Sequence, residues 1–155
     1  MTYQHKQRVV PTTWIVVADR SQARIFASSS GEEPLEELDT LVFPESQMRK
    51  SEIVSDRQGY FRGKDGALDS GDPEKDFKHH TAEQFAVQIA HHIDAARQHQ
   101  QFGRLALVAP PLFLGVLRKK LPTPVAQMVA VEIDKDYSQQ STASIQGHLR
   151  QQLWD

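Results

Sequence analysis

The chain predicts an α/β protein built on a mixed five-stranded sheet, and three observations carry that expectation. Trp14-Ile15-Val16-Val17-Ala18, Leu105-Ala106-Leu107-Val108-Ala109 and Val129-Ala130-Val131-Glu132-Ile133 are short, largely apolar, β-branched runs, the pattern of strands covered on both faces. Ala82, Phe85, Ala86, Ile89, Ile93 and Ala96 recur at three- and four-residue spacing, which marks an amphipathic helix. Between Pro44 and Thr81 hydrophobic order breaks down, and so long a stretch in a compact domain usually carries function or is disordered.

The elements follow in order. Residues 1–12 are polar and unpatterned, as expected of a disordered N-terminal arm, and residues 13–155 are expected to form one domain. The first apolar run stops at the turn formers Asp19-Arg20-Ser21-Gln22, and Ala23-Arg24-Ile25-Phe26-Ala27 resumes strand character. The pair therefore reads as a hairpin. Leu35, Leu38, Leu41 and Phe43 suggest a third strand with imperfect alternation. A long functional loop is expected over about residues 44–80, dotted by Gly59, Gly63, Gly66 and Gly71, with a helical turn or two inside Gln47–Val54.

Two helix starts are visible near its end. Asp72-Pro73-Glu74 offers an N-cap acid, a first-position proline and a first-turn acid. Thr81-Ala82-Glu83-Gln84 offers a capping box. The helix that follows is expected to run toward Gly103. Pro110-Pro111 ends the next strand and opens a helix through Leu112, Leu114, Val116 and Leu117. After the last strand, Ser141–Leu153 places Ile145, Leu149 and Leu153 on one helical face. An antiparallel three-strand meander continued by strand–helix–strand, with helices packed on it, is an RNase H-like arrangement in topology.

Composition narrows the function classes. The 155 residues carry a net charge of −2 and no cysteine. Disulfide scaffolds, thiol catalysis and thiolate metal sites are excluded. The apolar run at Trp14–Ala18 is too short for a signal-peptide core. No stretch approaches the roughly 20 apolar residues of a membrane span, so a cytoplasmic protein without membrane insertion is expected. Charge is uneven. Glu32, Glu33, Glu36, Glu37 and Asp39 form an acidic cluster. From Ala95 to Leu121 the charges are Arg97, Arg104, Arg118, Lys119 and Lys120, with no acid among them. Such a run reads as a solvated face or as a basic patch for RNA. Arg57, Arg62 and Lys64 add positive charge in the middle block, with Tyr60-Phe61 beside them.

Candidate chemistry is sparse. Asp76, His79 or His80, and Glu83 lie at helical spacing for a metal, although i,i+4 pairing in a polar first turn explains them equally. Asp19, Glu132, Asp134 and Asp136 fall at or beyond the ends of inferred central strands, where converging carboxylates would hold Mg²⁺ for phosphodiester cleavage. Turn capping is the plainer account of Asp19. Ser55-Asp56-Arg57 with Gly59 reads as a turn, and no phosphate-binding glycine motif is present. No cofactor is indicated.

Five segments in register carry a family resemblance. They are Trp14–Ala18 with Asp19, Ala23-Arg24-Ile25-Phe26; Val54-Ser55-Asp56-Arg57-x-Gly59; His80-x-x-Glu83-x-Phe85-Ala86; Leu107-Val108-Ala109-Pro110-Pro111-x-Phe113-Leu114-Gly115; and Glu132-Ile133-x-Lys135-Asp136-Tyr137-Ser138. Together they resemble the bacterial host attachment proteins, a family in turn similar to the central domain of archaeal and eukaryotic peptide-chain release factors and of Pelota. The resemblance implies an RNase H-like domain and a ribosome- or RNA-associated role. Release factors use a Gly-Gly-Gln loop, and this chain has none, so peptide release and enzymatic action are not expected. The expectation is a binding module whose candidate contacts to ribosome or structured RNA are Ser55, Asp56, Arg57, Gly59, Tyr60, Arg62 and Lys64 in the loop and Arg118, Lys119 and Lys120 on the basic face. The alternatives are an attachment factor acting through a protein partner or through indirect regulation of surface adhesion, and a Mg²⁺ nuclease using Asp19, Asp134 and Asp136. The sequence fixes no oligomeric state.

Overall fold

The computed structural model describes residues 12–29, 33–44 and 72–153. Five strands form one sheet: β1 (Thr13–Ala18), β2 (Gln22–Ser28), β3 (Glu36–Val42), β4 (Arg104–Val108) and β5 (Val129–Ile133). Their order is β3-β2-β1-β4-β5. β1–β2 and β2–β3 are antiparallel, while β1–β4 and β4–β5 are parallel. The expected mixed sheet of a meander followed by strand–helix–strand is therefore present. Four helices accompany it: α1 (Pro73–Gln98), α2 (Pro111–Lys120), α3 (Thr123–Ala126) and α4 (Thr142–Leu153).

β1 lies at the centre with all six residues buried, which is why its sequence is an unbroken apolar run. Its alternate side chains feed two cores. Trp14, Val16 and Ala18 pack with Phe85, Ile89 and Ile93 of α1 and with Phe113 and Leu117 of α2. Ile15 and Val17 pack with Ile145, Leu149 and Leu153 of α4. The molecule is thus a three-layer sandwich.

Asp72 caps α1 as its sequence predicts, accepting from the Glu74 amide at 3.1 Å, with Pro73 at the first position. The second predicted start is not a start. Thr81 sits inside the continuous helix, 2% exposed, and its hydroxyl donates to the Phe77 and Lys78 carbonyls at 3.0 and 3.2 Å. Residues 73–80 of the expected loop are therefore helical. The helix stops at Gln98, short of Gly103. Gln100 takes a left-handed conformation, φ 58°. Gln100 and Gln101 donate back to the Arg97 and Ala96 carbonyls, a C-terminal closure usually served by glycine.

β3 is present where a third strand with imperfect alternation is expected. It is an edge strand with Leu38 and Val42 exposed, and the buried anchors are Leu35 and Phe43 just outside it. Glu36, Glu37 and Asp39 line this edge, and charge of that kind discourages pairing with other chains. Arg24 donates to both oxygens of Glu37 at 3.1 and 3.2 Å. That contact outweighs burial and holds the Glu37 carboxyl below its ordinary range. The short helix α3 has no forerunner in the sequence reading. The expected arm up to residue 11, the proposed helical turn in Gln47–Val54 and the loop residues 45–71 lie outside the described residues.

Candidate functional site

β1, β4 and β5 all run the same way, so their carboxyl ends share one edge of the sheet. At β1 the chain turns back into β2, and at β4 it crosses to β5. Ligands in open α/β sheets sit at the carboxyl edge where the chain direction divides in this manner.

A groove of about 700 Å³ opens there. Three elements build it. The β1–β2 turn supplies Arg20. The first half of α1 supplies Lys75, Lys78, His79 and Ala82. The start of α2 supplies Pro111, Leu112, Phe113, Gly115, Val116 and Lys119. The α1 contributors fall at i, i+3, i+4 and i+7, one face of a helix.

The lining is apolar at its floor and cationic at its rim. Among the described residues it holds four Lys and Arg side chains, one imidazole and no carboxylate. Two lining side chains pair with acids, Lys78 Nζ at 3.9 Å from Glu74 and His79 Nε2 at 3.5 Å from Glu83. Among the described residues Arg20, Lys75 and Lys119 join no ion pair. Arg20 Nη1 is buried without a hydrogen-bond partner among them, and a buried guanidinium donor left unpaired is costly. Leu112, 88% exposed, stands at the mouth.

The basic run read from the sequence divides in space. Lys119 faces the groove. Arg118 donates from Nε to both oxygens of Glu132 at 3.0 and 3.1 Å, and this pairing raises the guanidinium's already high pKa. Lys120 lies 3.7 Å from Glu83, and Arg97 2.8 Å from Asp94. Arg104 donates to the Leu153 carbonyl at 3.0 Å. Glu132 and Glu83 come from other elements and Asp94 from the turn of α1 just before the run, so much of the apparent patch is compensated. Ser55, Asp56, Arg57, Gly59, Tyr60, Arg62 and Lys64 lie outside the described residues. Arg20, Lys75 and Lys78 were not singled out by the sequence reading. The three-residue spacing of the two lysines ahead of an amphipathic helix was the one local signal.

The carboxylates expected to hold Mg²⁺ are otherwise employed. Asp19 Oδ1 accepts from the Ser21 and Gln22 amides at 2.7 and 2.9 Å, closing the β1–β2 turn. Its Oδ2 and Asp136 Oδ1 both contact the Ser138 hydroxyl, at 2.7 and 2.8 Å. Asp134 borders a separate hollow with Arg118 and Glu132. Among the described residues no three His, Asp or Glu side chains group as metal ligands, at this edge or at Asp76, His79 and Glu83. Nor is any helix among them long and apolar enough to cross a membrane.

A solved structure described as an "Archaeal protein" is similar to this chain over 98% of its residues at 11% identity, with a TM-score of 0.47, and the chain spans 40% of that protein's length. Among curated proteins none matches. The family model described as "Protein required for attachment to host cells" matches residues 14–149, nearly the whole of the chain and every strand but the first residue of β1, and the chain belongs to that family.

Proposed function

We propose that this protein is a non-enzymatic binding module with an attachment-related role, and that it engages structured RNA, on the ribosome or elsewhere, through its cationic groove. The observation that carries the reading is the collar of Arg20, Lys75, Lys78 and Lys119 around one concavity, with no carboxylate in its lining among the described residues. Clustered cations, of which only Lys78 joins an ion pair among the described residues, are the footprint of a phosphate-bearing partner. The strand order, with a meander on one side of β1 and parallel crossovers on the other, supports an RNase H-like reading of the fold. The resemblance to release-factor central domains points to translation-linked RNA. Loop residues Ser55–Lys64 are a second contact on this reading, with Arg57 and Arg62 as its cations. Attachment to host cells is then an indirect outcome of the binding.

Phosphate contacts release counterions, so affinity for duplex RNA should fall steeply with salt. Replacing Lys75, Lys78 and Lys119 together by Ala should weaken binding of a labelled RNA hairpin. It should also reduce the slope of log K against log salt by about 2–3. Salt-insensitive binding, or a slope the triple variant leaves unchanged, would contradict the reading. A second reading, docking of a protein partner, is favoured by the 88% exposure of Leu112 at the mouth. It requires that Leu112→Asp abolish capture of one defined protein while RNA has no effect.

A further inference from the structure

We infer that the groove between α1 and α2 seats one unpaired nucleotide, its phosphate on the cationic rim and its base on the apolar floor. The inference deepens the RNA reading and rests on it only for the larger ligand, because a free mononucleotide presents the same chemistry.

Three features select that class of ligand. The volume, about 700 Å³, suits a single small molecule, for which sites of roughly 300–1,000 Å³ are usual. It is too local to track a long chain. The lining joins two chemistries in one concavity: Ala82, Leu112, Phe113, Gly115 and Val116 offer carbon surface, and Arg20, Lys75, Lys78 and Lys119 offer positive charge. An inorganic anion would leave the floor uncovered, and an apolar ligand would leave the rim unanswered. A nucleotide covers both, since every base has an apolar face and every nucleotide a phosphate. The Arg20 Nη1 donor, buried and without a partner among the described residues, gains an acceptor when a phosphate or a base carbonyl enters.

The groove is also open where it can be plugged. A Cβ built on Gly115, in the middle of α2, meets nothing within 4 Å. A large side chain there enters the groove that Gly115 lines. Gly115→Trp is therefore a blocking variant. Leu112→Asp is a second, which places an anion at the mouth on a side chain that is almost fully exposed and contributes little to folding.

The test compares three probes on the full chain: adenosine monophosphate, a blunt RNA hairpin, and the same hairpin with a short unpaired 3′ overhang. Binding is read by calorimetry for the nucleotide and by fluorescence anisotropy for the RNAs. The overhang should bind about tenfold tighter than the blunt hairpin, and the nucleotide should compete for the difference. Gly115→Trp and Leu112→Asp should each abolish nucleotide binding and bring the affinity of the overhang down to that of the blunt hairpin for the same variant. Nucleotide binding with no overhang advantage assigns the site to a free mononucleotide and keeps the inference. If nucleotide binds and neither RNA does, the RNA reading fails and the nucleotide site stands. If the blunt hairpin binds with its salt dependence but neither the overhang nor the nucleotide responds to the two variants, this inference is overturned and the RNA reading survives.

Discussion

Phe85→Ala should cost about 3–5 kcal/mol of folding stability, the usual range for emptying a buried aromatic site. Phe85 is fully buried. Its ring stands 5.3 Å from that of Phe43, just beyond β3, and 6.0 Å from that of Phe113 in α2. The three rings tie the edge of the sheet, α1 and α2 into one cluster, so removing the middle ring unseats both neighbours. Phe113 is also part of the groove floor, so the variant should loosen the site along with the fold. For a chain of this length the loss corresponds to a fall in Tm of roughly 6–20 °C. Urea unfolding at neutral pH measures it directly. A change below 1 kcal/mol would mean that the cluster is not where the helical layer is held.

Asp19→Ala should cost about 2–3 kcal/mol, because hydrogen bonds to a charged acceptor are worth more than neutral ones. This carboxylate serves two places at once. One oxygen takes the Ser21 and Gln22 amides of the β1–β2 turn. The other takes the hydroxyl of Ser138, a residue 1% exposed in the segment between β5 and α4. Gln22 and Arg24 reinforce the same clasp by donating to the Ser138 carbonyl, each at 3.1 Å. Asp19→Asn keeps an oxygen acceptor for the turn and should recover about half of the loss. Equal damage from Asn and Ala in thermal unfolding would show that the net charge of Asp19, rather than its two sets of hydrogen bonds, is what matters.

The fold was legible wherever local pattern and tertiary position agree. β1 is buried on both faces and is written as a solid apolar run. α1 announces itself by Asp72-Pro73-Glu74, and α4 by Ile145, Leu149 and Leu153. Local signals failed where a neighbouring element overrode them. Thr81-Ala82-Glu83-Gln84 has the form of a cap, but α1 has already begun, so the Thr81 hydroxyl returns a bond to the preceding turn. Leu38 belongs to the imperfectly alternating set that marks β3, and it is exposed because that strand is the sheet's edge. The groove was largely illegible. Its cations come from the β1–β2 turn, α1 and α2, nearly one hundred positions apart at the extremes, and only the fold assembles them. The basic run misled for the same reason in reverse: Glu83 and Glu132 neutralise Lys120 and Arg118 from elements that sequence proximity does not reveal.

The proposed partner of the cationic groove is structured RNA, and the ribosome is the first source of it to test. The most direct measurement is sedimentation of the native, untagged protein with ribosomes from its own cells at low and high salt. Lys75→Glu/Lys78→Glu/Lys119→Glu and, separately, Arg57→Ala/Arg62→Ala would run beside it. Salt-sensitive co-sedimentation, lost in the groove variant and weakened in the loop variant, is the predicted result. A protein that stays at the top of the gradient at both salt concentrations, or that sediments equally well with its groove charges reversed, would contradict it.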